Sequence, residues 1–127
     1  MLTSDWDESV ILDPRHLTGF TGGDTDLEIQ VLEVFQASAA SYLTALDEAT
    51  DENWKGCAHK IKGAARGIGA WSLACAAERA EQSMPAVAAG TARQECLSEL
   101  HKRLQQLNTA IVSRIKAIND AEMIDHE

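Results

Sequence analysis

The sequence predicts an all-α fold, an antiparallel up-and-down four-helix bundle preceded by a short N-terminal helix. Three observations carry this. Apolar residues recur at three- and four-residue spacing through four long segments, the mark of helices that bury one stripe. Hydrophobic residues make up 45% of the chain and aromatics only 5%, with alanine abundant, a composition that favours packed helices over sheet. Only two prolines interrupt the 127 residues, and no strand-like alternation, internal repeat or low-complexity stretch breaks the pattern. Helices joined by short links pack antiparallel, and a chain of this length buries one core.

Residues 1–9 read as a flexible acidic tail and residues 10–124 as the domain, with Val10, Ile11 and Leu12 laid on apolar surface. Asp13-Pro14 starts a short helix, Asp as N-cap and Pro at the first helical position. Gly19 would close it, and Gly22-Gly23 makes a turn. Thr25-Asp26-Leu27-Glu28 reads as a capping box opening a long helix. Its buried stripe is expected to be Leu27, Val31, Val34, Phe35, Ser38, Tyr42, Leu46 and Ala49. Asp51 can cap the next helix, which Gly69 ends. Ser72 can cap a fourth, with Leu73, Ala76, Ala77, Ala80 and Met84 inward and Pro85 as the stop. Gly90 reads as a C-cap glycine and Thr91-Ala92-Arg93-Gln94 as a second capping box. The last helix is expected from about residue 92 to about residue 122, with Leu97, Leu100, Leu104, Leu107, Ile111, Ile115 and Ile118 along its stripe.

The net charge is −9, which argues against general nucleic-acid or anionic-membrane binding, since both need a basic footprint. The charge is uneven. Residues 1–50 hold ten acids and one base, residues 51–70 two acids and four bases, and residues 71–127 eight acids and six bases. The middle segment is thus a local anion site on an acidic protein. Cys57, Cys75 and Cys96 form no Cys-x-x-Cys pair, so neither a disulfide framework nor a zinc site is indicated. The N-terminus lacks the basic and apolar regions of a signal peptide, and no run of about 18 apolar residues could span a membrane. A cytoplasmic location is expected. Beginning at Met1 with an acidic tail, the chain reads as a stand-alone protein, with an excised domain of a larger hybrid kinase as the alternative.

The chemistry gathers on the third predicted helix. With His59 at zero on a helical wheel, Lys55, Lys62 and Arg66 fall at about −40°, −60° and −20°. Gly56, Gly63 and Gly67 fall at about +60°, +40° and +80°. Trp54, Cys57, Ala58, Ile61, Ala65 and Ile68 cover the far side. One histidine therefore stands on a solvent face between positive charge and bare backbone. Each glycine inside a helix costs about 1 kcal/mol relative to alanine, so the strip asks for a reason. Helical side chains lean toward the N-terminus; a side chain at 63 would lie across the base of His59, and Lys62 leans toward the imidazole. His16, His101 and His126 have no such setting and read as ordinary residues. Trp54 and Trp71 bracket the helix and read as packing anchors.

The run His59-x-Ile61-Lys62-Gly63-Ala64-Ala65-x-x-Ile68-Gly69 resembles the signature of histidine-containing phosphotransfer (HPt) domains. The likeness extends over roughly residues 10–120, through the acid-tryptophan start at Asp51 to Trp54, Gly69-Ala70-x-x-Leu73 and Glu81. The resemblance implies a relay in which a receiver-domain aspartyl phosphate gives its phosphoryl group to the histidine, which passes it to another receiver aspartate. On that reading His59 is the phosphoacceptor, attacking through Nε2 as neutral imidazole, Lys62 steadies the phosphoryl oxygens and Gly63 gives clearance. The helical wheel adds Lys55, Gly56, Lys60, Arg66 and Gly67 as a receiver-docking surface. Glu81 falls near a position where some members place a polar residue beside the histidine; a carboxylate there can orient the imidazole but repels a phosphoryl group. The implied partners are response-regulator receiver domains and a hybrid sensor histidine kinase, with no cofactor or metal on this chain, Mg2+ on the partner receiver, and a monomeric state.

An adaptor that binds receivers or other regulators without transfer is the alternative, and the presence of every chemistry-bearing residue weighs against it. An ATP-using histidine kinase would need a histidine followed by acid, arginine and proline, together with a nucleotide domain, and His59 has neither. Hydrolase chemistry lacks a nucleophile elbow, and a four-helix metal site lacks its Glu-x-x-His pairs.

Overall fold

A computed structural model describes residues 6–82 and 90–125, the side chains of 90, 91 and 122–125 excepted. The described residues form five helices and no strand: α1 (Pro14–Thr21), α2 (Thr25–Asp47), α3 (Asp51–Gly67), α4 (Trp71–Gln82) and α5 (Gly90–Asp125). Met84 and Pro85 lie outside the described residues, as does the side chain of Thr91.

The helix ends differ from expectation in detail. Asp13 caps α1 as expected, Oδ1 accepting from Arg15 N at 3.0 Å and His16 N at 3.4 Å. Gly19 does not close that helix, which continues to Thr21 and ends at Gly22 in left-handed conformation, φ 65°. The cap of α2 is Asp24, whose carboxylate accepts from Leu27 N at 3.0 Å. Thr25 is therefore the first helical residue, because an acid one position earlier takes the cap and complements the helix dipole. Thr50, not Asp51, is the N-cap of α3, and Asp51 and Glu52 sit as acids in its first turn. Ser72 lies inside α4, its N–H donating to Val10 O at 2.8 Å. Gly90 is the first residue of α5, not a C-cap.

The end of α3 is a Schellman motif. Ala70 N–H donates to Ala65 O at 2.9 Å and Gly69 N–H to Arg66 O at 3.2 Å, with Gly69 at φ 78°, the arrangement that favours glycine after a C-cap. A Cβ at Gly69 would also sit 2.8 Å from His16 Cβ. His16, read as an ordinary residue, donates its ring N–H from Nε2 to Gly67 O at 3.0 Å and so ties α1 to this terminus.

Packing runs α2 on α3, α3 on α4, α4 on α5 and α5 back on α2, with α1 against α2. Trp54, Leu17, Leu32, Leu46, Leu73, Leu100, Leu107 and Ile111 are fully buried inside that ring. The α5 stripe is as expected apart from Ile115, which is half-buried. Every residue from Ser72 to Ala77 is buried, and Ala58, Ala65, Ala74, Ala77 and Ala80 expose nothing, so α3 and α4 meet through small side chains.

The buried face of α2 is rotated by one residue from the expected stripe. Glu28, Leu32, Phe35, Ala39, Leu43 and Leu46 are buried, while Leu27 is exposed and Val34 is 65% exposed. Val31, Ser38, Tyr42 and Ala49 are half-buried. Glu28 sits on that face, and its charge is matched. A buried carboxylate is costly unless paired, and Arg114 of α5 pairs with it through two bonds, Nε to Oε2 at 2.5 Å and Nη2 to Oε1 at 3.1 Å.

Two sets of contacts fasten the ends. Arg93 donates to the carbonyls of Leu46, Asp47 and Ala49 at 3.3, 3.0 and 3.0 Å and stacks 4.8 Å above the Trp54 ring. Trp54 Nε1 in turn donates to Ala80 O at 2.8 Å. At the opposite end of α3, Trp6 stacks on Trp71 with centroids 5.9 Å apart and planes 13° from parallel. Trp71 Nε1 donates to Asp13 Oδ2 at 3.0 Å. Glu8 pairs with Arg79 and, at 2.7 Å, with Arg103. No helix among the described residues is long and apolar enough to cross a membrane.

Candidate functional site

The far side of α3 is buried through Trp54, Ala58, Ile61 and Ala65, and this packing fixes which residues look outward. His59 is 65% exposed. Lys55, Gly56, Lys60, Gly63, Arg66 and Gly67 are all exposed, whereas Lys62 is half-buried. A Cβ built at Gly56, Gly63 or Gly67 would meet nothing within 4 Å. Nothing inside the fold thus requires these three glycines. A Cβ at 63 would not touch the His59 ring either, so the clearance it leaves faces outward.

Glu81, near the end of α4, organises the centre. Its Oε2 lies 2.6 Å from His59 Nδ1 and its Oε1 lies 2.6 Å from Lys62 Nζ. The Glu81 side chain is 12% exposed and that of Lys62 18%. Burial pushes the Glu81 carboxyl up, but the Lys62 ammonium and the His59 ring outweigh it and hold the group below its ordinary value. Glu81 is therefore an ionised acceptor. A carboxylate can only accept, so Nδ1 of His59 carries a proton toward it, and in the neutral ring the lone pair is left on Nε2. The exposed nitrogen is the nucleophilic one. Burial of one ion against two partners also keeps the ring in a single orientation.

Lys62 leans toward residue 59 as the helical geometry suggests, but its partner is Glu81, not the imidazole. The two helices thus build a row of ammonium, carboxylate and imidazole. The Glu81 bridge to Lys62 escapes sequence reasoning, because the register of α4 against α3 is a tertiary fact. The wheel places Arg66 on the His59 face, and the structure sets its guanidinium 5.9 Å above the Trp6 ring. Trp6 lay within the stretch read as a tail, and no motif in the sequence singled it out. Lys55 and Lys60 add exposed positive charge on either side of His59 in sequence. Among the described residues, no group of three or more His, Cys, Asp or Glu side chains is arranged to hold a metal ion.

Chemically, the arrangement offers an unhindered, oriented imidazole nitrogen next to positive charge, on a convex face with open backbone beside it. Such a face suits attack on an electrophile carried by a large partner. The family model for the Hpt domain matches residues 30–110, from within α2 into α5. No curated protein and no solved structure gives a significant match to the chain.

Proposed function

The chain belongs to the Hpt domain family, and from that premise we propose that His59 accepts a phosphoryl group from a receiver-domain aspartate and relays it to another. Members of the family are histidine phosphotransfer intermediates of two-component signalling, not kinases. The single observation that carries the assignment to His59 is the bond from Nδ1 to the half-buried Glu81 carboxylate, which leaves Nε2 free and outward.

In the forward step the Nε2 lone pair attacks phosphorus in line. The N–P bond forms as the bond from phosphorus to the aspartyl oxygen breaks, and the aspartate leaves as carboxylate. The Nδ1 proton stays in place, hydrogen-bonded to Glu81, whose carboxylate offsets the positive charge that develops on the ring. Phosphoryl transfer depends chiefly on positioning and charge stabilisation. Lys62 supplies the positive charge nearest to the transferring oxygens, and its pairing with Glu81 screens that carboxylate from them. Gly63, with Gly56 and Gly67, admits the receiver, while Lys55, Lys60 and Arg66 complement an acidic partner surface. The magnesium ion belongs to the receiver. We read the helix ring as an antiparallel up-and-down bundle: the links at 48–50 and 68–70 are short, and α5 pairs with α2 in reverse order, His101 with Asp47 and Arg114 with Glu28. The working state in this proposal is a cytoplasmic monomer whose partners are receiver domains and a hybrid sensor kinase.

The test is incubation with phosphorylated receivers and magnesium, followed by detection of acid-labile label. Label on the wild type and none on His59→Gln is expected. Label that survives the substitution, or no transfer from a broad receiver panel, would sink the assignment; receiver binding unchanged by His59→Gln without any acid-labile label would favour the adaptor.

A further inference from the structure

We propose that the strap formed by residues 6–10 is part of the receiver-docking surface, with Trp6 as the positioning residue that holds Arg66 ready for the partner. The inference rests on His59 being the phosphotransfer centre.

Arg66 follows His59 by seven residues, two turns on the same face, which places it about 10.5 Å along the helix. A standard protein interface covers about 800 Å² on each partner, a disc of about 16 Å radius. A receiver seated over His59 therefore reaches Arg66 and the Trp6 ring against which it lies. Beside them, a Cβ at Gly63 or Gly67 would meet nothing within 4 Å, so the strip next to His59 and Arg66 is bare backbone.

Trp6 has the attributes of a fixed platform. Its ring is stacked on Trp71, whose own Nε1 is held by Asp13. The strap behind it is tied twice more, by Glu8 to Arg79 and Arg103 and by Val10 O to Ser72 N. Trp6 is packed against the core without belonging to it. These ties converge on the ring over which the Arg66 guanidinium lies. An unrestrained arginine loses much rotamer freedom when a partner immobilises it. A cation–π contact with a rigid ring removes part of that freedom before docking. The planar guanidinium then presents its donor fork to a partner surface bearing carboxylates, which matches the net positive charge of this segment within a protein of net charge −9.

The experiment measures transfer from a phosphorylated receiver to full-length chain at varied receiver concentration, for wild type, Trp6→Ala, Trp6→Phe, Arg66→Ala and the Trp6→Ala/Arg66→Ala pair. Trp6→Ala should raise the half-saturating concentration about threefold with an unchanged saturating rate. Trp6→Phe should restore most of the loss, and the double variant should be no worse than Arg66→Ala. Unchanged half-saturation in Trp6→Ala, a fall in saturating rate alone, or fully additive losses in the double variant would overturn the inference. Thermal unfolding by circular dichroism accompanies each variant, and if Trp6→Ala unfolds, Trp6→Phe against Arg66→Ala decides. Wild type that takes no acid-labile label refutes the parent reading, and this inference with it; labelled wild type with an indifferent Trp6 refutes the strap alone.

Discussion

Replacing Gly63 by alanine should make the protein more stable and a poorer relay. The methyl would enter open space, since no atom lies within 4 Å of the Cβ position, and the residue sits well inside α3. Alanine in a helix interior is favoured over glycine by about 1 kcal/mol, part of it through the unfolded chain. For a domain of this size that corresponds to a rise in Tm of about 4 °C. The same methyl stands one turn from His59, on the strip through which a receiver approaches in the proposed relay. Forcing a methyl into a close-packed contact costs about 1–3 kcal/mol, so transfer efficiency should fall about 5- to 150-fold. Urea unfolding followed by tryptophan fluorescence gives the first number, and transfer rate against receiver concentration gives the second. A destabilised Gly63→Ala would mean that the glycine serves internal packing. A stabilised variant with undiminished transfer would mean that the strip is not a docking surface. Either result refutes the reasoning.

Three further outcomes follow from other contacts. Glu81→Ala should shift the His59 ring toward the Nε2–H tautomer, read by nitrogen NMR, and slow transfer about 10- to 100-fold at unchanged half-saturation; an unaltered tautomer ratio would contradict the role given to Glu81. Gly69→Ala meets both φ 78° and His16 at 2.8 Å, and should lower stability by about 1–3 kcal/mol, seen as a reduced urea midpoint at constant slope. Hydrogen bonds from Arg79 and Arg103 hold the Glu8 carboxyl down, from 4.5 to about 2. A depressed carboxylate stabilises the folded state above its unfolded value and loses that contribution as pH falls through the folded one. The strap should therefore stay docked down to about pH 4.5 and release toward about pH 2, with the change in Trp6 fluorescence absent in Glu8→Gln.

The sequence made the outward face of α3 legible because one wheel sorted chemistry from core: Trp54, Ala58, Ile61 and Ala65 are inside and His59 is outside. The single stripe of α5 was equally plain, being almost wholly leucine and isoleucine. In α2 two adjacent stripes are both apolar, and the buried one carries Glu28, whose charge is matched by an arginine 86 residues away. Helix starts shifted by one residue wherever two capping side chains stand next to each other, as with Asp24 and Thr25. Glu81 was expected beside the imidazole and lies there; the strap and the Glu81 link to Lys62 were hidden for a different reason. Trp6, Glu8 and Glu81 act through distant partners, and periodicity carries no information about what a side chain meets across the fold.

The alanines between α3 and α4 have a consequence for the accuracy of the centre. The separation of two packed helices is set by the side chains between them, at about 8–10 Å from axis to axis. Ala58, Ala65, Ala74, Ala77 and Ala80, all fully enclosed, have no rotamers through which that spacing could drift. Leucines at these positions could settle in several packings and carry Glu81 with them. Methyl groups leave one spacing, and so one distance from the carboxylate to the imidazole. The seam acts as a gauge block: it sets the 2.6 Å contact at His59 with groups that take no part in the proposed chemistry, and it keeps that setting whatever docks on the opposite face.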